Sequence, residues 1–281
     1  GNGSSELISL LIETRAPKRT LILGPTYSEY SRELSFSGST QDYYHLQEAE
    51  DFELDVEDLC RTLLNGYDFL ILCNPNNPTS SAILKDEMRA LLSFCANRDI
   101  FVMIDETYVE FAPSVQEVTA VPYTKDFSNL MVLRGVSKFY AAPGMRFGYG
   151  ITGNKEFLSQ MKEKQIPWSL NSLGAYAGEQ MFKDTSYIRQ TRALILTERD
   201  RMFLELKKMS SFKVYFPYGN FILVKILKPE VTSFDVFEAC IKEGLMIRDC
   251  SSFQCLDGEF IRFCIMKPED NNRLLKVLKT I

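Results

Sequence analysis

A lysine follows a short apolar run near the middle of the chain, and its neighbours are unusual for a surface charge. Lys138 lies in the segment LRGVSKFYAAPGMRFGYG (133–150), and Arg146 follows it after eight positions. An amine held near a second cation is a nucleophile suited to covalent bonding with a carbonyl group. A lone lysine is also commonly a solvated charge, and Arg146 by itself is a candidate for a salt bridge. The two residues therefore need support from other positions.

Further polar residues follow neighbouring apolar runs. Asp105 is the last residue of the apolar run IFVMID (100–105), and Tyr108 follows it three positions later. Asn77 lies in CNPNNPTS (73–80). Taken alone, Asp105 is compatible with capping a turn, and Asn-Pro sequences are typical of turns. In open α/β sheets, however, ligands bind beyond the carboxyl ends of the strands. The pattern therefore predicts a single ligand site to which three strand ends contribute.

The segments that carry these residues alternate between short apolar runs and longer amphipathic stretches. Helical spacing of apolar residues occurs at 54–66 and at 82–98. Alternation of this kind predicts an α/β fold with a mainly parallel sheet sandwiched by helices. Four apolar runs are predicted to be buried strands of that sheet, namely TLILGP (20–25), DFLILCNP (68–75), IFVMIDE (100–106) and NLMVLRG (129–135).

The sequence pattern changes near residues 166–167. Two helical patterns follow, and hairpin-like strands with further helices then extend to the C-terminus. We therefore predict a large domain over residues 1–190 and a smaller C-terminal α/β domain over residues 191–281. The predicted boundary lies within the second, longer helical pattern.

Composition and charge exclude several classes of protein. The chain has 281 residues with a net charge of −5 and no long Lys/Arg run, which argues against binding to nucleic acid. No apolar run has the length of a membrane span, so we expect no membrane association. Seven cysteines without a CxxC pair and a single histidine argue against a disulfide framework and a multi-histidine metal site. We therefore predict a cytoplasmic protein without a bound metal.

The chemical requirements of pyridoxal phosphate match these residues. Its phosphate is bound well by the N–H groups of a helix N-terminus, by hydroxyls and by arginine, which GNGSSE (1–6), Ser137 and Arg146 can supply. Its protonated ring nitrogen needs a buried carboxylate such as Asp105, and its aldehyde needs an amine such as Lys138. Candidates for bonding the ring hydroxyl and for stacking on the ring are Asn77, Tyr108 and Tyr27.

The same motifs resemble those of fold-type I pyridoxal-phosphate enzymes of the class I/II aminotransferase family. The resemblance covers essentially the whole chain and is closest to the branch that holds histidinol-phosphate aminotransferases and L-threonine-O-3-phosphate decarboxylases. The matching segments, in family order, are GNGSSE (1–6), GPTYSEY (24–30), NPNNPT (74–79), DETYVEF (105–111), SKFYAAPGMRFGY (137–149) and IRDCSSF…IRF (247–263).

The resemblance implies a role for each residue at a matching position. Lys138 is implied to be the Schiff-base lysine and proton carrier, and Asp105 the partner of the ring nitrogen. Arg262 is implied to bind the substrate α-carboxylate. Arg248 lies where this branch contacts a substrate's own phosphate, although a surface arginine is an equal alternative. The other implied cofactor contacts come from Gly3, Ser4, Tyr27, Asn77, Tyr108, Ser137 and Arg146.

The implied protein is a homodimeric enzyme that acts on a small phosphorylated amino acid or amine. Transamination, as in histidinol-phosphate aminotransferases, is the superfamily default. Segments 166–182 and 245–253 resemble threonine-phosphate decarboxylases of cobalamin biosynthesis more closely, so decarboxylation stays a close alternative. The intact lysine, aspartate and arginines argue against a non-enzymatic relative. Neither GxGxxG nor GxxxxGK[ST] occurs, which argues against a nucleotide-binding enzyme.

Two positions depart from the family pattern. Ser80 stands where the family usually has glycine, and Gly135 stands where serine or threonine is common. We therefore expect one hydroxyl contact to the cofactor phosphate to be missing. Family members also carry residues before GNGSSE, so we expect the parent protein to have a segment that precedes Gly1.

Overall fold

The chain folds into two β-sheets with helices packed on them, and the computed structural model describes all residues from Gly1 to Ile281. The strands are β1 Arg19–Gly24, β2 Thr40–His45, β3 Phe69–Cys73, β4 Phe101–Asp105, β5 Leu130–Gly135, β6 Gly148–Ile151, β7 Phe212–Val214, β8 Phe221–Ile226, β9 Arg248–Asp249 and β10 Phe260–Cys264. The α-helices are α1 Gly3–Arg15, α2 Glu29–Ser37, α3 Val56–Leu63, α4 Lys85–Ala96, α5 Val115–Val118, α6 Lys155–Lys164, α7 Ser172–Lys183, α8 Thr185–Lys207, α9 Ser233–Lys242 and α10 Pro268–Leu278.

The larger sheet has six strands in the order β2-β1-β3-β4-β5-β6. Strands β1 to β5 run parallel, and β6 pairs with β5 in the antiparallel sense. The predicted mainly parallel sheet is therefore confirmed, and its inner strands are the four predicted apolar runs. The sequence did not predict β2 or β6. Strand β2 lies at the sheet edge with no fully buried residue, and β6 is short and contains two glycines, so neither has an apolar run.

Helices cover both faces of this sheet, as the alternation of side chains along a strand requires. Leu70 and Leu72 of β3 point to one face and pack with the core residues of α3 and α4. Phe69 and Ile71 point to the other face and pack with α1, α2 and α6. Each inner strand is buried on both sides, which explains its continuous apolar sequence.

The second sheet has four antiparallel strands in the order β7-β8-β10-β9. Helices α8, α9 and α10 pack on one of its faces and form an apolar cluster that also includes Tyr108, Phe111 and Phe139 from the segments after β4 and β5. The long helix α8 joins the two parts of the chain without a break. The predicted domain boundary at residue 190 lies inside α8 and stays a prediction.

Side chains of the loop after β2 contact the small sheet and its neighbouring loop. Glu48 binds the small sheet at two points, because its carboxylate accepts from Lys225 Nζ at 2.6 Å and from Tyr215 Oη at 2.9 Å. Beside it, the ring of Phe52 lies 6.0 Å from the ring of Phe260 between centroids. These contacts hold the small sheet beside the carboxyl end of the larger one.

Three further features of residues 1–281 bear on function. All seven cysteines are free thiols. No three His, Cys, Asp or Glu side chains are grouped so that they could hold a metal ion. None of the helices combines the length and the apolar character that crossing a membrane requires.

Candidate functional site

A cavity of about 280 Å³ lies at the carboxyl ends of β3, β4 and β5. The segments that follow these three neighbouring strands and β1 line it, together with the start of α1 and one residue of the small sheet. The cavity is where an open α/β sheet is expected to bind its ligand. It brings together ten of the residues predicted from the sequence: Gly3, Ser4, Tyr27, Asn77, Asp105, Tyr108, Ser137, Lys138, Arg146 and Arg262.

A buried carboxylate lies at the base of this cavity. Asp105 is the last residue of β4 and is only 5% exposed. Its Oδ2 accepts a hydrogen bond of 2.8 Å from the hydroxyl of Tyr30, and its Oδ1 accepts from the backbone N–H of Thr107 at 2.9 Å. Burial raises the pKa of Tyr30 well above its usual value, so this hydroxyl stays protonated and donates. The partners of Asp105 are neutral, which leaves its charge available to a cation in the cavity.

A cationic, donor-rich pocket occupies another part of the cavity wall. Gly3 begins α1 with φ of +82°, and a Cβ at this position would lie 2.4 Å from Nη2 of Arg146. The guanidinium of Arg146 donates to the backbone carbonyls of Asn2 and Pro143. The first N–H groups of a helix have no partner within the helix. Arginine and helix N-terminus together therefore form a site for an anion such as a phosphate.

Lys138 and Ser137 follow β5 and face the same cavity. Lys138 is exposed, and its Nζ lies 6.0 Å from the ring centroid of Tyr108. Gly135, which stands where the family commonly has serine or threonine, lies against the segment before β6, since a Cβ there would lie 3.2 Å from the carbonyl oxygen of Phe147. The close approach of β5 to the segment before β6 gives a steric reason for glycine at this position.

Arg262 of β10 extends from the small sheet into the cavity. Its Nη1 donates to the side-chain oxygen of Asn77, and its guanidinium carbon lies 4.9 Å from the ring centroid of Phe221. Its Nε is buried without a hydrogen-bond partner. Phe221 also contacts Tyr108, with ring centroids 4.9 Å apart. Burial raises the pKa of Tyr108, so that hydroxyl stays a donor. Arg262 thus retains donors for a further anionic group.

Arg248 is the one predicted site residue that does not line this cavity. It lies at the start of β9 and lines an adjoining cavity of about 390 Å³. Its Nη2 donates to Ser252 Oγ at 2.9 Å, and it is exposed. The two cavities share Tyr27, Asn77 and Arg262 as lining residues. A ligand that extends beyond Arg262 would therefore reach Arg248.

Two residues that hold Asp105 were not predicted from the sequence. Tyr30 lies in the segment GPTYSEY (24–30), but nothing in that segment indicates a contact with a residue 75 positions away. Thr107 is a different case. An Asp whose side chain accepts from the backbone N–H two residues later is a recognised turn pattern, and the sequence DET offered that signal.

A second group of buried charges lies beside the Lys138 segment. Glu106 is fully buried, and its Oε2 lies 2.7 Å from Nη2 of Arg134. The Oε1 of Glu110 lies 4.0 Å from Nη1 of the same arginine, and its Oε2 has no hydrogen-bond partner. Burial raises the pKa of Glu110 to about 7, against the attraction of Arg134. Arg134 therefore pairs mainly with Glu106, and a negative charge on Glu110 would be only weakly compensated.

The residues of the main cavity fit pyridoxal phosphate by the chemistry of their groups. Arg146 and the α1 N-terminus suit a phosphate, and Asp105, with neutral partners only, suits a protonated ring nitrogen. Lys138 provides the amine. The space that Gly3 leaves free of a Cβ is the space that Arg146 occupies, so the cationic pocket depends on that glycine.

The chain is similar to proteins that carry two different named activities. A family model described as aminotransferase class I and II matches residues 1–278. A protein of Caldanaerobacter subterraneus, provisionally named a threonine-phosphate decarboxylase, is 35% identical over 279 residues, which are 99% of this chain and 75% of that protein. The threonine-phosphate decarboxylase of Salmonella typhimurium is 30% identical over 281 residues, with 100% of this chain and 76% of its own length covered.

A solved structure with the other activity is equally similar. The crystal structure of the histidinol-phosphate aminotransferase from Clostridium acetobutylicum matches this fold with a TM-score of 0.92 at 33% identity. The match covers 100% of this chain and 82% of that one. Identity alone therefore does not separate the two reactions.

Proposed function

This chain belongs to the class I and II aminotransferase family, whose cofactor is pyridoxal 5′-phosphate, and on that premise we propose that it is an aminotransferase for a small phosphorylated amino acid or amine. The observation that carries the proposal is the meeting of Lys138, Asp105 and Arg146 in one cavity beyond the parallel strands. An amine, a buried carboxylate with neutral partners and a cationic pocket are the three groups that the cofactor requires.

The proposed cofactor contacts follow from the lining of the cavity. Gly3, Ser4, Ser137 and Arg146 would hold the phosphate, and Asp105 would face the ring nitrogen. When bound, the cofactor supplies an electron-withdrawing ring that stabilises negative charge at the substrate α-carbon. The residues proposed for the ring hydroxyl and for the ring face are Asn77, Tyr108 and Tyr27.

Two residues would act on the substrate itself. Lys138, which we propose anchors the cofactor covalently in the resting enzyme, has an exposed amine that can take a proton from the substrate α-carbon and return it. Arg262 retains free donors and would bind an α-carboxylate in a bidentate manner, either that of an amino-acid substrate or that of 2-oxoglutarate when the other substrate is an amine. Because these residues come from the two different sheets, the substrate would be held between them.

A phosphorylated substrate is supported by the second cavity. Arg248 and Ser252 line it, and it opens beside Arg262. A substrate whose carboxylate lies on Arg262 would place a phosphate within this cavity, where arginine provides a matching fork of donors.

Decarboxylation of threonine phosphate is the second candidate reaction. It is favoured by the names of the relatives that are 35% and 30% identical. The same residues serve this chemistry, because the bond that breaks joins the α-carbon to the carboxylate, carbon dioxide leaves, and Lys138 then gives a proton to the α-carbon. The homodimer and the cytoplasmic location stay predictions under either reaction.

A paired assay on the full-length protein tests the proposal and chooses between the reactions. The protein is incubated with histidinol phosphate and 2-oxoglutarate, and glutamate is measured. It is also incubated with threonine phosphate, and carbon dioxide is measured. Glutamate formation supports transamination, and carbon dioxide without glutamate would replace it by decarboxylation. Borohydride treatment should attach the cofactor to Lys138 in the native protein and not in Lys138→Ala, and absence of that adduct from a folded native sample would refute the proposed role of this lysine.

A further inference from the structure

Ser80 has a backbone conformation that is unusual for its residue type. Its φ is +61°, in the left-handed region that disfavours residues with a Cβ, and its side chain is completely buried. Strained backbone that is retained at a site is a reason to look for a function. The residue lies in the loop after β3 that also carries Asn77.

Ser80 is bonded on both sides to another part of the chain. Its Oγ accepts a hydrogen bond of 2.8 Å from the backbone N–H of Gly219, and its carbonyl oxygen accepts one of 2.8 Å from the N–H of Tyr218. Its own N–H donates to the carbonyl of Asn76 at 2.8 Å. The serine therefore joins the loop after β3 to the loop that leads into β8.

Each of these two loops leads to a residue that contacts Arg262. Phe221 begins β8 two residues after Gly219, and its ring packs against the guanidinium of Arg262. The same guanidinium donates to Asn77, three residues before Ser80. Ser80, Gly219, Phe221 and Arg262 thus form a closed chain of contacts that returns to Asn77.

We propose that Ser80 is a positioning residue for Arg262, which its hydroxyl holds in place through Gly219 and Phe221. The inference rests on the proposed function, in which Arg262 binds the substrate α-carboxylate. A carboxylate that takes the donors of Arg262 competes with Asn77 for them. Ser80 itself does not bond to Arg262 or to Asn77, so its bonds persist when substrate is bound. They would then keep the start of β8 in a fixed position relative to the loop after β3.

Two substitutions separate the hydroxyl from the backbone strain. Ser80→Ala keeps the Cβ in the left-handed conformation and removes Oγ. Ser80→Gly removes Oγ and also relieves the strain. The matched control is Ser81→Ala, since the hydroxyl of Ser81 lies in the same loop and bonds to Thr79 instead. An effect of the lost hydroxyl appears in both Ser80 variants, whereas an effect of strain differs between them.

The first measurement uses the cofactor-free protein and does not depend on activity. Amide hydrogen exchange at Gly219 and the rate of arginine labelling at Arg262 by phenylglyoxal are followed by mass spectrometry. We expect both to be faster in Ser80→Ala and Ser80→Gly, and unchanged in Ser81→Ala. Unchanged labelling of Arg262 in both Ser80 variants, or the same increase in Ser81→Ala, would overturn the proposal even if the enzyme assays succeed.

The second measurement is the KM for the substrate that the paired assay identifies. For threonine phosphate, loss of one buried hydrogen bond should raise KM about fivefold in both Ser80 variants and leave kcat within about twofold. In the histidinol phosphate assay the α-carboxylate belongs to 2-oxoglutarate, so the KM for 2-oxoglutarate should rise about fivefold. The KM for histidinol phosphate, which has no α-carboxylate, should not change, and an increase there without one for 2-oxoglutarate would contradict a role through carboxylate binding. If neither compound is turned over, the proposed function fails, and the labelling of Arg262 still decides whether Ser80 positions it.

Discussion

The hydroxyl of Tyr30 donates a hydrogen bond of 2.8 Å to Oδ2 of Asp105, and it joins α2 to the end of β4. Both residues are buried, so fixed protein donors replace the water molecules that would hydrate this carboxylate in solution. The partners of this aspartate, Tyr30 and Thr107, are neutral, and the charge of the carboxylate is therefore directed at whatever cation enters the cavity. We infer that Tyr30 acts on the cofactor through Asp105.

Tyr30→Phe should weaken cofactor binding without unfolding the protein. The change leaves Oδ2 of Asp105 without its fixed donor, so the carboxylate is held less firmly toward the ring nitrogen. The dissociation constant for pyridoxal phosphate should therefore rise by about tenfold, equivalent to about 1.4 kcal/mol. Titration of cofactor-free protein with pyridoxal phosphate measures it. Tyr67→Phe is the control, because Tyr67 donates a similar 2.9 Å bond to Asp42 far from the cavity. Equal dissociation constants for both variants would contradict the prediction.

Gly3→Ala should damage the phosphate pocket more than it damages the fold. Gly3 and Gly38 both have positive φ, +82° and +75°, but only a Cβ at Gly3 meets another group, Nη2 of Arg146 at 2.4 Å. Gly38→Ala therefore incurs only the backbone strain, about 1–2 kcal/mol. We expect Gly3→Ala to bind pyridoxal phosphate at least tenfold more weakly, and Gly38→Ala to lose stability with unchanged affinity. Comparable affinities in the two variants would show that Arg146 tolerates the Cβ.

The sequence predicted most of the main cavity because its residues follow the apolar strands directly. Asn77, Asp105 and Lys138 lie at or just after strand ends, and parallel strands bring their carboxyl ends to the same edge. The apolar run before each of these residues was therefore enough to predict its position at the edge of the sheet. The same reasoning predicted the inner strands and a mainly parallel sheet.

The rest of the site depends on contacts between distant segments, which local pattern does not contain. Tyr30 reaches Asp105 across 75 positions, and Ser80 reaches Gly219 across 139. In the sequence Ser80 is only a departure from the usual glycine, and the partner of its hydroxyl is visible only in the structure. Strand β2 escaped prediction for a simpler reason, since an edge strand with polar residues has no apolar run.

Arg248→Gln should reduce the preference for a phosphorylated substrate. Arg248 lines the adjoining cavity, and the charge-assisted bond that it would donate to a phosphate contributes about 1.5–3 kcal/mol. We expect kcat/KM for threonine phosphate to fall by about tenfold or more, while the much lower value for threonine stays unchanged. Arg61→Gln is a suitable control, because Arg61 is an exposed arginine paired with Asp58 on α3. A parallel fall for both substrates would argue that Arg248 acts on the fold and not on the phosphate.

Glu110 should make the stability of the protein depend on pH. Burial raises its pKa from 4.5 to about 7, so the folded state holds a proton on Glu110 that the unfolded state has already released above pH 4.5. The folded state then binds more protons than the unfolded state between about pH 4.5 and 7, and stability falls as pH rises through this range. Above about pH 7 the full cost is present, on the order of 3 kcal/mol.

Glu110→Gln should remove the contribution of Glu110 to this dependence, because glutamine keeps the size of the side chain and carries no charge at any pH. A smaller dependence of the same sign stays in the variant, since burial also raises the pKa of Glu106. The variant should match the native protein near pH 4.5 and be the more stable of the two at pH 8, in urea unfolding of the cofactor-free form across that range. Glu57→Gln, at an exposed position on α3, should follow the native curve throughout. If native protein and Glu110→Gln lose stability in parallel as pH rises, then the charge of Glu110 is compensated in the folded state, and Arg134 must stabilise both neighbouring carboxylates and not Glu106 alone.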